Sequence, residues 1–219
     1  MKNNKIFVAC DSTNISKIKN IINKTKNSKL IIGYKFGLEF LNSKKGRNFI
    51  SNLKNEIIFA DLKLHDIPNT VHKAVAEIAQ FNVLMTTIHL QGGAEMIEAA
   101  KSAAGSTKIL GVSLLTSLDE KDTQQLYGNA FENQFNKLVT LAQSSSIDGI
   151  VCSPQELVKL HDFNKLKVVP GIRNAQTEDD QKRTMSAADA YAQGADYIVV
   201  GRPITQASNV ESALEEYLP

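Results

Sequence analysis

The sequence predicts a single-domain α/β fold over residues 1–219, a closed (β/α)8 barrel of the TIM type. Three observations predict it. Short apolar runs recur eight times, each is followed by a stretch whose apolar residues recur three and four apart, and polar residues stand in register at the ends of the runs. At 219 residues, 42% hydrophobic and 22% charged, the chain can bury a sizeable core, which suits one domain better than two small ones.

The strand runs are "KIFVAC" (5–10), "KLIIGYKF" (29–36), "EIIFADLK" (56–63), "VLMTTIHL" (83–90), "KILGVSLLT" (108–116), "GIVCS" (149–153), "KVVPGI" (167–172) and "YIVVG" (197–201). Between them, stretches such as "IPNTVHKAVAEIAQF" and "GGAEMIEAAKSAA" have helical periodicity. The longest interval, 117–148, has room for a loop and a helix carrying Phe131, Phe135, Leu138, Val139 and Ala142. Alternating strands and helices imply right-handed crossovers and a parallel sheet. A doubly wound open sheet is the alternative, but "CDSTNISKI" rather than a GxGxxG turn follows the first run.

The formal net charge is +2, with only a mild concentration of lysines between residues 17 and 29. Nucleic acid and membrane surfaces both favour a dense basic face, so a small-molecule partner is expected instead. The apolar run "IFVAC" stops at Asp11, too short for a signal peptide, and no run approaches the ~20 apolar residues of a membrane helix. These features predict a soluble, cytoplasmic protein. Cys10 and Cys152 lie in apolar runs and read as inert packing. His65, His72, His89 and His161 show no HExxH or Cys/His spacing, so metal binding through His or Cys is not expected.

In such a barrel the C-terminal strand ends are the catalytic positions. Asp11 closes the first strand, Lys35 the second, Asp61 and Lys63 the third, His89 the fourth and Thr116 the fifth, while Arg173 follows the seventh and Arg202 the eighth. Asp61 and Lys63 are two apart and share a face of their strand. A structural ion pair is the plainer explanation of these two, but buried pairs stabilise poorly. With Lys35 on the adjacent strand and Asp66 just beyond, four charges of alternating sign crowd one point, as a functional site requires. "GADYIVVGRPI" places Gly201 and Arg202 after the last strand, where barrels commonly bind phosphate; the same Gly-Arg-Pro turn could equally start a helix. "VVPGIR" adds Arg173, and "RNAQTEDDQKRT" offers either a cover for the site, with Gln181 near its far end, or an ordinary surface loop. His65 would share the face of Asp61 and Lys63 only if the strand continued, which the "DIPN" turn opposes; His65 and His89 are read as structural rather than acid–base groups.

"ADLKLHDIPNT", "PGIR", "DDQKR" and "VVGRPIT", in this order, closely resemble the orotidine 5'-phosphate decarboxylase family over nearly the whole chain. The resemblance implies a barrel of the ribulose-phosphate-binding type and cofactor-independent conversion of orotidine 5'-phosphate to UMP and CO2. It implies that Lys63 donates the proton, with Asp61, Lys35 and Asp66 completing a catalytic array. It further implies a homodimer in which Asp66, Ile67 and Thr70 reach the other subunit's site. Asp11 and Lys35 would hold the ribose hydroxyls, Thr116 and Gln181 the pyrimidine, and Arg173, Gly201 and Arg202 the phosphate. "HLQGG" at 89–93 departs from the small residues expected after the histidine, so packing there is expected to differ.

Two rivals are distinguishable. Sugar-phosphate enzymes of the same barrel group share the Asp-x-Lys-x-x-Asp core but use Mg²⁺ and are expected to carry an acidic residue where this chain has Lys35. A non-catalytic nucleotide-binding protein would use Gly201 and Arg202 but gives no reason for Asp61, Lys63 and Asp66 together.

Overall fold

The computed structural model describes residues 5–174 and 184–217. Eight parallel strands pair in chain order and close into a barrel: β1 (Lys5–Ala9), β2 (Ile31–Phe36), β3 (Ile57–Leu64), β4 (Met85–His89), β5 (Lys108–Val112), β6 (Gly149–Val151), β7 (Leu166–Val169) and β8 (Tyr197–Val200). The seam pairs Ile6 with Ile198 and Val8 with Val200. Beside it, the Tyr191 hydroxyl donates to the Lys5 carbonyl at 2.9 Å.

Strand alternation sorts side chains into two cores. Phe7, Phe59, Met85, Leu110, Val168 and Tyr197 fill the barrel interior, with the Phe7 ring 5.3 Å from those of Phe59 and Tyr197. Gly33 makes room for this aromatic layer, because a Cβ there would lie 2.4 Å from the Phe7 ring. The alternate residues, among them Ile6, Val8, Ile58, Ala60, Ile88 and Ile198, face outward and pack in the larger core with the helices. The helix Pro68–Ala79 begins with proline at its first position and buries Val71, Val75 and Ile78, at the three- and four-residue spacing of a helical stripe.

Two local expectations are corrected. β5 ends at Val112, so the run to Thr116 is not all strand: the chain bends at Leu114 and turns between Leu115 and Leu118, whose amide donates to the Leu115 carbonyl at 3.0 Å, leaving Thr116 exposed. The 117–148 interval holds two helices, Glu120–Tyr127 and Phe131–Ser144. The first was hidden by its weak apolar stripe; its start is marked by a reciprocal cap between Asp119 and Asp122. In the second, Phe135, Leu138 and Ala142 are buried.

No helix among the described residues is long and apolar enough to cross a membrane. Both cysteines are buried and outside any disulfide. Burial pushes the Cys10 thiol up to about 12 and Cys152 higher still, so both are poor nucleophiles.

Candidate active site

A cavity of 330 Å³ opens at the C-terminal mouth of the barrel. Its walls include Ala9, Val112, Val151 and Val199, one layer above the aromatic filling. Of the residues picked out by sequence, Asp11, Lys35, Asp61, Lys63, Thr116, Arg173, Gly201 and Arg202 all line it. Asp66, Ile67 and Thr70 do not: they are exposed on the turn after β3 and the start of the next helix, and the Asp66 carboxylate accepts a hydrogen bond from the Ile67 amide at 2.7 Å. Within one chain Asp66 is therefore not the fourth charge of the cluster. Gln181 lies outside the described residues.

The four charges that do meet form a chain of alternating sign. Lys35 Nζ is 2.9 Å from Asp11 Oδ1 and 3.7 Å from Asp61 Oδ2, and Lys63 Nζ is 2.7 Å from the same Asp61 oxygen. Burial pushes the Asp61 carboxyl up, but the ammonium groups of Lys63 and Lys35 and hydrogen bonds from Lys63 and Thr87 outweigh it and hold the carboxyl below its ordinary range. Asp61 is thus a buried, ionised carboxylate held by two cations.

The backbone of β3 makes this geometry possible. Ala60 pairs with Thr86 and Leu64 with Ile88, so residues 61–63 lie opposite Thr87 alone, as a bulge. Lys63 sits within it at φ +49°, the left-handed conformation that L-residues with side chains rarely adopt. Consecutive threonines bond the backbone at the bulge: Thr86 Oγ1 donates to the Ala60 carbonyl at 2.8 Å, and the Lys63 amide donates to Thr87 Oγ1 at 2.8 Å. Sequence reasoning missed Thr87, since threonine is at home in any strand. The signal was two adjacent threonines in an otherwise apolar buried run.

On the opposite wall, the turn after β7 brings Gly171 and Arg173 to the cavity. Gly171 has φ +77°, which favours glycine, and the Arg173 amide donates to the Met185 carbonyl at 2.9 Å. Arg202 begins a short helix directly after β8. A Cβ at Gly201 would meet only Ala9, at an ordinary 3.5 Å, so the neighbouring protein atoms do not demand glycine; a bare backbone there leaves room for a ligand's approach. Two arginines, from the turns after β7 and β8, line the same cavity as the Lys–Asp–Lys array and suit a phosphate.

β3 ends before His65, which is exposed; its ring centroid is 5.5 Å from that of His89. The departure after His89 has a defined structure. Leu90 is fully buried, and Gln91 donates to the Ser113 carbonyl at 2.7 Å while its Oε1 lies 3.1 Å from His89 Nδ1. A glutamine oriented by that carbonyl presents an acceptor, which places the His89 proton on Nδ1. Burial, more than any neighbour, lowers the His89 pKa and favours the neutral ring.

The profile of the orotidine 5'-phosphate decarboxylase / HUMPS family matches residues 4–217. The chain belongs to this family. Similar members include orotidine 5'-phosphate decarboxylases from Paramagnetospirillum magneticum, 40% identical over 96% of this chain and 95% of that protein, and from Malacoplasma penetrans, 39% identical over 100% and 97%. Among solved structures, orotidine 5'-phosphate decarboxylase from Lactobacillus acidophilus superposes with a TM-score of 0.83 at 34% identity, covering 99% of this chain and 100% of that one. An uncharacterized conserved protein from Geobacillus kaustophilus gives 0.80 at 26% identity, covering 97% and 100%. The orotidine 5'-phosphate decarboxylase / HUMPS barrel is thus the fold found here, eight parallel strands in chain order.

Proposed function

We propose that this chain is an orotidine 5'-phosphate decarboxylase, a cofactor-independent carboxy-lyase of pyrimidine biosynthesis that releases UMP and CO2. The observation that carries this reading is the array Asp11–Lys35–Asp61–Lys63 at the cavity wall. Heterolysis of the bond between C6 and the carboxylate leaves an electron pair on C6 that the pyrimidine ring delocalises poorly. A fixed ammonium can stabilise that charge and then supply a proton to the same carbon, the role assigned to Lys63. Asp61, beside the substrate carboxylate, is better accommodated once that group leaves as neutral CO2. Asp11 and Lys35 hold the ribose, Thr116 and Gln181 meet the pyrimidine, and Gly201 with Arg173 and Arg202 receives the phosphate. Binding energy from this remote group helps to organise the charges around C6.

The enzyme acts in the cytoplasm as a homodimer in which Asp66, Ile67 and Thr70 complete the partner's site. Asp66, Ile67 and Thr70 are all exposed on this chain, as residues that serve a second subunit's site must be.

The sugar-phosphate reading within the same family needs Mg²⁺ near the carboxylates. Lys35 opposes it, since its ammonium lies against both Asp11 and Asp61. Incubation with orotidine 5'-phosphate, followed by pyrimidine absorbance after exhaustive chelation, tests the proposal: full turnover is expected. Activity lost with EDTA and restored by Mg²⁺ would transfer the chain to the sugar-phosphate branch.

A further inference from the structure

Thr87 is fully buried on β4 and faces the barrel interior, between Met85 in the aromatic layer and His89 at the mouth. On the adjacent strand β5 the residue opposite Thr87 is the apolar Leu110, and inward positions nearer the mouth on β5, β6 and β8 are valines, Val112, Val151 and Val199, all of which line the cavity. Valine has nearly the shape of threonine, so packing alone gives no reason for a hydroxyl here. The hydroxyl instead makes two hydrogen bonds of opposite sense. It accepts from the Lys63 amide at 2.8 Å and donates to Asp61 Oδ1 at 2.9 Å.

Those bonds reach the two ends of one functional unit. Asp61 Oδ1 is held by Thr87, which leaves Oδ2 for Lys63 Nζ at 2.7 Å and Lys35 Nζ at 3.7 Å. Holding one oxygen fixes the carboxylate's rotation and so the direction from which both ammonium groups meet the other. At the same time, the bond to the Lys63 amide holds the bulged backbone at the residue whose φ is +49°. One hydroxyl therefore constrains where the carboxylate points and where the lysine side chain begins.

We propose that Thr87 is a positioning residue for the decarboxylation, its hydroxyl fixing the relative placement of the Asp61 carboxylate and the Lys63 ammonium. This rests on the proposed function above. Thr86 provides the matched comparison: it has the same side chain, the same strand and the same burial, and it bonds the same bulge, but it reaches only the Ala60 carbonyl and no charged group.

The test compares Thr87→Val, Thr87→Ser and Thr86→Val in the full-length protein, with kcat and KM for orotidine 5'-phosphate and the ¹³C titration of the Asp61 carboxyl. Thr87→Val should lower kcat about 100-fold with KM changed less than about threefold, because misplacing groups that act on the reacting atoms costs turnover before it costs binding. Thr87→Ser should recover most of that loss. The Asp61 titration should move upward in Thr87→Val and stay in place in Thr87→Ser, since only the former removes a donor to the ionised carboxylate. Thr86→Val should lower the melting temperature while kcat stays within about threefold of the parent. Thr87→Ala makes the same deletion with less bulk should the valine variant fail to fold. Parental kcat in Thr87→Val, failure of serine to rescue, or an equal kcat loss in Thr86→Val would each overturn the proposal. If the parent protein itself does not decarboxylate the nucleotide, the functional reading fails, and the Asp61 titration still decides whether Thr87 holds the carboxylate.

Discussion

Asp61 and Lys63 are separated by one residue, yet their charged groups meet at 2.7 Å while the Lys63 backbone stands at φ +49°. The ion pair assigned to the chemistry and an unfavourable backbone conformation thus fall on the same residue.

Replacing Lys63 should separate the two. Both Lys63→Ala and Lys63→Gly should lose decarboxylation by about 100-fold or more, the scale of a missing proton donor. Glycine tolerates positive φ and alanine does not, so the glycine variant should be the more stable by about 1 kcal/mol in chemical denaturation. Equal stability of the two would mean that the left-handed conformation is not retained at this position.

Arg202→Ala should raise KM for orotidine 5'-phosphate strongly and leave turnover of orotidine, which lacks the phosphate, nearly unchanged. An equal loss with both substrates would remove Arg202 from the phosphate end.

Subunit mixing tests the shared site. Lys63→Ala and Asp66→Ala should each be severely impaired alone. In a two-fold dimer carrying one of each, one site lacks both groups and the other has both. With random exchange of equal amounts, about a quarter of all sites should be intact, and activity should rise toward that fraction. No recovery despite proven exchange would place Asp66 in its own subunit's site.

His89 should give the fold a pH dependence. Burial lowers its pKa in the native state, and the fields of His65 and Lys63 act the same way against the Gln91 bond and Asp61. Between the native value and the unfolded value of about 6.5, the unfolded chain binds more protons, so stability falls as pH drops below that value. Denaturation midpoints at pH 7.5 and pH 5 should show a smaller loss in His89→Asn than in the parent. An unchanged slope would show that His89 does not supply the dependence.

The eight strands were legible because each is an apolar run that ends in a polar or small residue, and their pairing follows from crossovers that return to the same sheet. The positions of Asp11, Lys35, Asp61, Lys63, Arg173 and Arg202 at one mouth follow from that topology. The bulge at residues 61–63 was not legible, because it is a relation between two strands and leaves no mark in either alone. Thr87 was hidden for the same reason, since its hydroxyl matters only once the bulge places the Lys63 amide and the Asp61 carboxylate around it. The Glu120–Tyr127 helix was missed because Thr123 is its only buried residue, which leaves almost no apolar period to read.

The seam between β1 and β8 also governs how the molecule is assembled. Seven of the strand pairings join elements adjacent in the chain, whereas Ile6 and Ile198 come from opposite ends of it. Local pairings form at small entropic cost, while this one must close the whole chain. Until it does, β1 and β8 are two bare edges of a curved open sheet, each a run of apolar residues with unused backbone donors and acceptors. A neighbouring molecule with its seam still open would present the complementary edge, so the yield of refolded protein is expected to rise on dilution.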